Sequence, residues 1–342
     1  MQIQAAIAEV IGSNDLSLED MQHVMRQIMT GEATDAQIAG FLIALRMKGE
    51  SVSEIQGGAQ IMRELSTKVE ADSENLVDTC GTGGDGSQLF NVSTASAFVA
   101  AAAGARVAKH GNRSVSSKSG SADLLETAGV RLDLNAEQVA KCIAEIGIGF
   151  MFAPAHHGAM KHAIGPRREL AQRTVFNLLG PLTNPASAPN QLLGVFDDCW
   201  LRPMAEVLKA LGSQHVMVVH SSDGLDEISA SAPTNVCELK NGEITEYQIS
   251  PGDFGLDMVN IEKLSATDPE TSLALVNQAI SDLESGAASI VSLNAGATLY
   301  VSGVVYSLAE GVSMAQDAIG SGLAKNKLAE LVSFSQCLKE VE

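Results

Sequence analysis

The chain has 342 residues, of which 45% are hydrophobic and 4% aromatic, and it carries a formal net charge of −19. That length holds one large domain plus a smaller one. The charge disfavours nucleic acid or an anionic membrane as a general partner, because counterion release needs a basic surface.

The first ~65 residues have the apolar spacing of helices. Ser17 with Asp20, Thr34 with Gln37 and Ser51 with Glu54 have N-cap and N3 spacing, the last two as full capping boxes. Ile38, Phe41, Leu42 and Leu45 make one apolar helix face, and Gly31 and Gly49 punctuate helix ends. Met21, Met25 and Met29 recur at i, i+4, i+8 and read as core rather than a binding stripe. The expected organisation is a small helical domain over 1–70, joined by helices from about 165–190, and an α/β domain over 74–342. An apolar face left over on the helical domain suits a homodimer, with core packing as the other reading.

From residue 74 short β-type runs alternate with helical stretches. Candidate strands are Leu76-Val77, Arg106-Val107-Ala108, Ile148 to Phe152, Val216 to Val219 and Ser289 to Leu293. Strands alternating with helices imply a mostly parallel central sheet, with ligands at its carboxyl edge. Five cysteines without paired spacing argue against a disulfide framework and for a reducing cytoplasm. The N-terminus has no secretory leader pattern, and no apolar run is long enough to cross a bilayer.

Gly81, Gly83, Gly84 and Gly86 follow the first candidate strand and precede the alanine-rich segment from Ala95 to Ala103. Strand, glycine loop and helix start together make an anion cradle, because glycine admits positive φ and the first helical N–H groups lack partners. A tight structural turn is the other reading. The loop is not a P-loop. It fits G-x-G-x-x-G spacing but lacks the acidic residue that holds a ribose diol.

Positive charge gathers in two windows of this acidic chain. Arg106, Lys109, Arg113 and Lys118, with His110, occupy the first; Lys161, Arg167, Arg168 and Arg173 occupy the second. Such concentration suits a small, highly charged anion, although the second window could be an exposed helix. The acids Asp226 and Glu227 are adjacent and suit a hard cation, or form a solvated pair at a helix start. Cys80 reads as a small buried residue rather than a nucleophile. His156-His157 lacks a third zinc ligand, and His110 suits substrate contact or loop packing.

Four blocks in order carry a family resemblance. Asp78 to Gly86 with Asn91-Val92-Ser93-Thr94, Lys109 to Asp123, Arg167 to Pro185, and Asp223-Gly224-Leu225-Asp226-Glu227 resemble the signatures of the anthranilate phosphoribosyltransferases. The resemblance implies a small helical domain, a large α/β domain and an active site in the cleft between them. It implies transfer of phosphoribosyl from 5-phosphoribosyl 1-pyrophosphate to the amine of anthranilate, in tryptophan biosynthesis, with Mg²⁺. By resemblance, Ser93, Asp226 and Glu227 are the metal residues. The substrate residues are Gly81, Gly84, Asp85, Leu89, Asn91, Val92, Ser93, Thr94, Lys109, His110, Gly111, Asn112, Arg113, Ser114, Val115, Ser116, Ser117, Ser121 and Arg167. Asn112 and Arg167 face the aromatic acid, and no protein nucleophile is expected. Leu89 stands where the family often has a hydroxyl, so only its backbone could contribute, and Gly158 replaces a common Pro. The alternatives are a pyrimidine-nucleoside phosphorylase and a non-enzymatic nucleic-acid-binding relative.

Overall fold

The computed structural model describes residues 1–113 and 119–338. Its first part is four helices, Ile3–Ile11, Leu18–Thr30, Asp35–Lys48 and Val52–Glu64. The starts of the last three follow from caps written in the sequence. Ser17 accepts the Asp20 N–H, and the Thr34/Gln37 and Ser51/Glu54 boxes are closed in both directions. Gly31 ends the second helix at φ 81°, where an L side chain is strained. Ile38, Phe41, Leu42 and Leu45 are fully buried, as are Met21 and Met25, with Met29 at 3% exposure. The helices Lys161–Leu170 and Val175–Leu179 pack into the same apolar cluster through Ala163, Val175, Phe176, Leu178 and Leu179. Glu54 is buried yet paired, accepting the N–H groups of Leu16 (2.9 Å) and Ser51 (2.7 Å) and the Lys48 ammonium (2.9 Å). Its capping role therefore also ties the loop before the second helix to the bundle.

The second part is built on a seven-stranded sheet: β1 Leu76–Gly81, β2 Arg106–Gly111, β3 Ile148–Phe152, β4 Asn190–Gly194, β5 His215–Ser221, β6 Thr234–Lys240 and β7 Glu243–Ile249. Their order is β3-β2-β1-β4-β5-β6-β7. The first five are parallel, and β6 and β7 add an antiparallel edge. From β1 the chain proceeds to β2 and β3 on one side and returns with β4 on the other. The carboxyl ends of β1 and β4 therefore flank the switch point where open α/β sheets leave a crevice. Helices Val92–Ala102 and Gly286–Ser302 cover one face. Helix Leu201–Ala210 and the helical block share an apolar cluster with Leu193, Val216 and Val218 on the other.

Three sequence expectations change. Ser289 to Leu293 is not a strand but the middle of the helix Gly286–Ser302. That helix is buried nearly all round, so it has no polar stripe to set a 3.6 period, and a short apolar run alone cannot separate buried helix from buried strand. Second, β1 and β2 run further than their apolar cores. Asp78 to Gly81 and Lys109 to Gly111 lie on strands rather than in the loops after them. Third, β4, β6 and β7 are strands that the sequence pattern does not announce; β4 has two central leucines only, and β7 is a polar edge with Glu243, Thr245, Glu246 and Gln248.

Candidate active site at the carboxyl end of the sheet

The last residues of β1 and β4, Gly81 and Gly194, are direct cross-strand partners. Neither has room for a side chain. A Cβ on Gly81 would run into the Asp226 carboxylate, and one on Gly194 into the Asp226 backbone carbonyl. This pair of glycines lets the turn after β5 settle onto the sheet end, which brings Asp226 and Glu227 over the glycine loop. Asp226 Oδ2 accepts the Gly83 N–H at 2.7 Å. Glu227 Oε1 accepts the Ser93 N–H at 3.1 Å, in the first turn of the helix Val92–Ala102. Gly83 and Gly84 hold φ of 65° and 81°. Both carboxylates thus stand on amides of the kind that hold phosphate oxygens.

Beneath them lies a buried cation. Lys109 is 3% exposed, and its ammonium donates to the Thr79 carbonyl (2.7 Å) and the Ser93 hydroxyl (3.2 Å). Burial lowers its pKa, opposed chiefly by Asp78 and then by Cys80 and Glu227. Asp78, buried under the sheet end, is raised by burial and held by the Asn184 amide at 2.8 Å. Burial and then Asp85 push Asp226 up to about 7. Glu227 is raised well above the usual carboxylate range by burial and by Asp226, with Lys109 opposing. Asp85, Asp226 and Glu227 therefore converge, and a divalent cation would relieve the burial and repulsion that hold Asp226 and Glu227 up. Among the described residues no three His, Cys, Asp or Glu side chains form a ready metal cluster. Two carboxylates completed by substrate phosphates match how Mg²⁺ is usually held. The donor set fits the ion.

Gly81, Gly84, Asp85, Ser93, Lys109, Asp226 and Glu227 are thus brought together. Arg173 joins them, although the basic window and the Arg167 to Pro185 block that contain it assign it no site role: its guanidinium lies 4.3 Å over the Phe196 ring and donates to the Gly84 carbonyl at 3.4 Å. Gly194 is a further site residue without a local signal, since it ends a strand the sequence pattern does not announce. Asn91 ties the loop's flanks, accepting from the Ser119 (3.1 Å) and Ser272 (2.7 Å) hydroxyls. Leu89 makes an isolated antiparallel bridge to Ser265. Val92 and Thr94 are buried, at 2% and 1% exposure, so their side chains belong to the core. Gly111 abuts the Ser121 hydroxyl and the Phe150 ring, and the Asn112 carbonyl accepts from Ser121 at 3.3 Å. Arg113 is engaged by Asp123 (3.0 Å) and Glu126 (2.7 Å) rather than by the cradle. Arg167 lies 4.9 Å over the Phe176 ring, on the helical side. Ser114, Val115, Ser116 and Ser117 lie outside the described residues. The Asp226–Glu227 turn starts no helix, and Cys80 is a poor nucleophile, because burial and Asp78 push its thiol up well above normal.

Beside Lys109 sits a cluster of neutral histidines. The His110 and His157 rings are 5.1 Å apart, both side chains are buried, and neither Nε2 has a partner among the described residues. Burial lowers all three of His110, His156 and His157, and brings His157 down to about 4. A histidine whose folded pKa lies below its unfolded value contributes stability that is complete above about pH 6.5. That contribution is lost as pH falls toward 4. Urea unfolding should therefore show a stability decline from about pH 7 to 5 that His157→Gln makes shallower, by at most about 1.4 kcal/mol per pH unit. Identical slopes for the two proteins would rule out a buried neutral His157.

Comparison with known proteins agrees with this architecture. The Glycosyl transferase family, a/b domain, matches residues 73–325, and the Glycosyl transferase family, helical bundle domain, matches residues 4–66. The anthranilate phosphoribosyltransferase of Marinomonas sp. (strain MWYL1) is 64% identical over 339 residues, covering 98% of both chains. The crystal structure of the Thermus thermophilus anthranilate phosphoribosyltransferase superposes with a TM-score of 0.91 at 44% identity, over 97% of this chain and 99% of that one. The Saccharomyces cerevisiae enzyme in complex with PRPP and Mg gives 0.89 at 26% identity, over 98% of each. Fold, motif order and site geometry converge on one assignment: the chain belongs to the anthranilate phosphoribosyltransferases of the glycosyl transferase family.

Proposed function

We infer that this protein transfers the phosphoribosyl group of 5-phosphoribosyl 1-pyrophosphate to the amine of anthranilate, releasing pyrophosphate, as a step of tryptophan biosynthesis. The observation that carries the reading is the meeting of glycine-loop amides, the Lys109 ammonium and the Asp226–Glu227 pair at the β1/β4 switch point. Asp226 and Glu227, with the Ser93 hydroxyl, would hold Mg²⁺ against the diphosphate. That ion supplies charge neutralisation for the departing pyrophosphate.

The chain's own residues do the rest. The amide of Gly84 and the start of the helix Val92–Ala102 bind anionic oxygens. Lys109, held by the Thr79 carbonyl and the Ser93 hydroxyl and favoured as a cation by Asp78, is the amine that would face the leaving group. Arg167, its guanidinium over the Phe176 ring, suits the acceptor's carboxylate, and Asn112 follows the end of β2. Aromatic amines are neutral and nucleophilic near neutral pH, and glycosyl centres react through oxocarbenium-like states. Positioning and charge stabilisation then suffice, without a covalent ribosyl-enzyme. A pyrimidine-nucleoside phosphorylase, which uses inorganic phosphate and a nucleoside, leaves the Asp226–Glu227 pair without a purpose.

We place the boundary between the helical and α/β parts near residues 70–74, with the segment about 165–190 on the helical side. Exposed Ile11 (71%), Met47 (83%) and Ile164 (44%) lie on three helices packed side by side, which supports a homodimer through that part. Light scattering of wild type should give twice the chain mass, and Met47→Glu should lower it; a monomeric wild type ends this reading. No helix among the described residues is long and apolar enough to cross a membrane. The five free cysteines suit a reducing cytoplasm. The deciding assay follows loss of anthranilate fluorescence with the phosphoribosyl donor and Mg²⁺. Consumption is expected only when all three are present, and no consumption refutes the assignment.

A further inference from the structure

Asn294 is fully buried in the middle of the helix Gly286–Ser302, among alanines, leucines and valines. A carboxamide in such a place costs stability unless every polar atom is paired. Here each is. Asn294 Oδ1 accepts the Ile228 N–H at 2.9 Å, and Nδ2 donates to the Ile228 carbonyl and to the Ile290 carbonyl, both at 2.9 Å. One side chain thus reads both backbone groups of the residue next to Glu227. The segment it grips has no regular secondary structure of its own to do this.

The turn's other end is fixed by a second device. Asp223 accepts the hydroxyls of Ser221, Ser229 (2.7 Å) and Ser231, while the Ser221 N–H donates to the Leu225 carbonyl at 3.1 Å. Asp226 rests on Gly81 and Gly194. Between these anchors Asp226 and Glu227 must hold two carboxylates together against burial and mutual repulsion. The clamp nearest to Glu227 is Asn294.

We propose that Asn294 is a positioning residue: by locking the Ile228 backbone it fixes the Asp226–Glu227 turn in the geometry that receives a cation–diphosphate pair. This rests on the functional reading above. The two are separable, since wild-type inactivity defeats the reading whereas an active wild type with indifferent Asn294 variants defeats only the proposal.

The test compares wild type with Asn294→Ala and Asn294→Leu, the second keeping bulk while removing the amide. Mn²⁺ binding in the presence of pyrophosphate, read by electron paramagnetic resonance of the free ion, should weaken about tenfold or more in both, because both lose the two hydrogen bonds that fix the Ile228 backbone. The KM for the phosphoribosyl donor should rise by a similar factor, with the anthranilate KM within about twofold. If Asn294→Leu restores wild-type Mn²⁺ affinity, or if both KM values move together, Asn294 merely fills space and the proposal is wrong. Should neither variant fold, amide exchange in the wild type decides. Ile228 is expected to exchange as slowly as the helix core, and fast exchange overturns the proposal.

Discussion

Asp226→Asn combined with Glu227→Gln is expected to abolish Mg²⁺-dependent turnover, by about a thousandfold or more, while leaving the fold intact. The magnitude follows from the several kcal/mol that a metal contributes to a transition state of developing charge, at about 1.4 kcal/mol per tenfold. The fold should survive because the amides are isosteric with the acids. Asn Oδ1 can still accept the Gly83 N–H, and Gln Oε1 the Ser93 N–H, the two bonds the carboxylates make now. The variant also removes two groups whose charge is disfavoured by burial and by each other. Its unfolding temperature near pH 8, about a unit above the Asp226 value of about 7, should therefore equal or exceed that of the metal-free wild type. Steady-state rates with a Mg²⁺ titration, beside thermal melts, check both halves. Full activity would remove the metal from this turn, and a collapsed melt would mean that the acids hold the structure rather than the ion.

The parts of the fold that are legible in the sequence share a physical feature: each carries a local, periodic or capped signal. The N-terminal helices announce themselves through Thr34/Gln37, Ser51/Glu54 and the Ile38 to Leu45 face, and all of these form. The glycine loop is legible because strand, turn and helix follow one another around it. What escapes depends on long-range contact. Gly194 matters because Asp226, far along the chain, rests on it. Arg173 reaches Gly84 across a wide sequence separation. The helix Gly286–Ser302 reads as a strand in sequence because burial on every side erases amphipathic period, and Asn294 goes unnoticed with it. The resemblance to known phosphoribosyltransferases supplies the metal pair that spacing leaves ambiguous between a cation site and a solvated helix start.

Lys109→Met is expected to weaken both the fold and the binding of the phosphoribosyl donor. Lys109 is a buried amine whose pKa burial lowers, with Asp78 chiefly and then Cys80 and Glu227 favouring its charged form. Methionine fills similar space without charge, so the loss is electrostatic rather than steric. It leaves Asp78, itself buried, with neutral donors among the described residues: the Asn184 amide, the His110 and Thr79 backbone N–H groups and the Cys80 thiol. Unpairing a buried charge costs about 3 kcal/mol or more, which urea unfolding at about pH 7 should register as a lower midpoint at unchanged slope. The donor's KM should rise about a hundredfold, the worth of one charge-assisted contact to phosphate at roughly 3 kcal/mol. Anthranilate's KM should change little. A second substitution tests the cause. If the damage comes from stranded negative charge, adding Glu227→Gln to Lys109→Met removes part of that charge and should recover about 1 kcal/mol of stability, while Glu227→Gln in wild type gains less. Strict additivity of the two changes would mean that Lys109 acts through its bonds to Thr79 and Ser93 alone, and that the acids above it are balanced by something other than this ammonium.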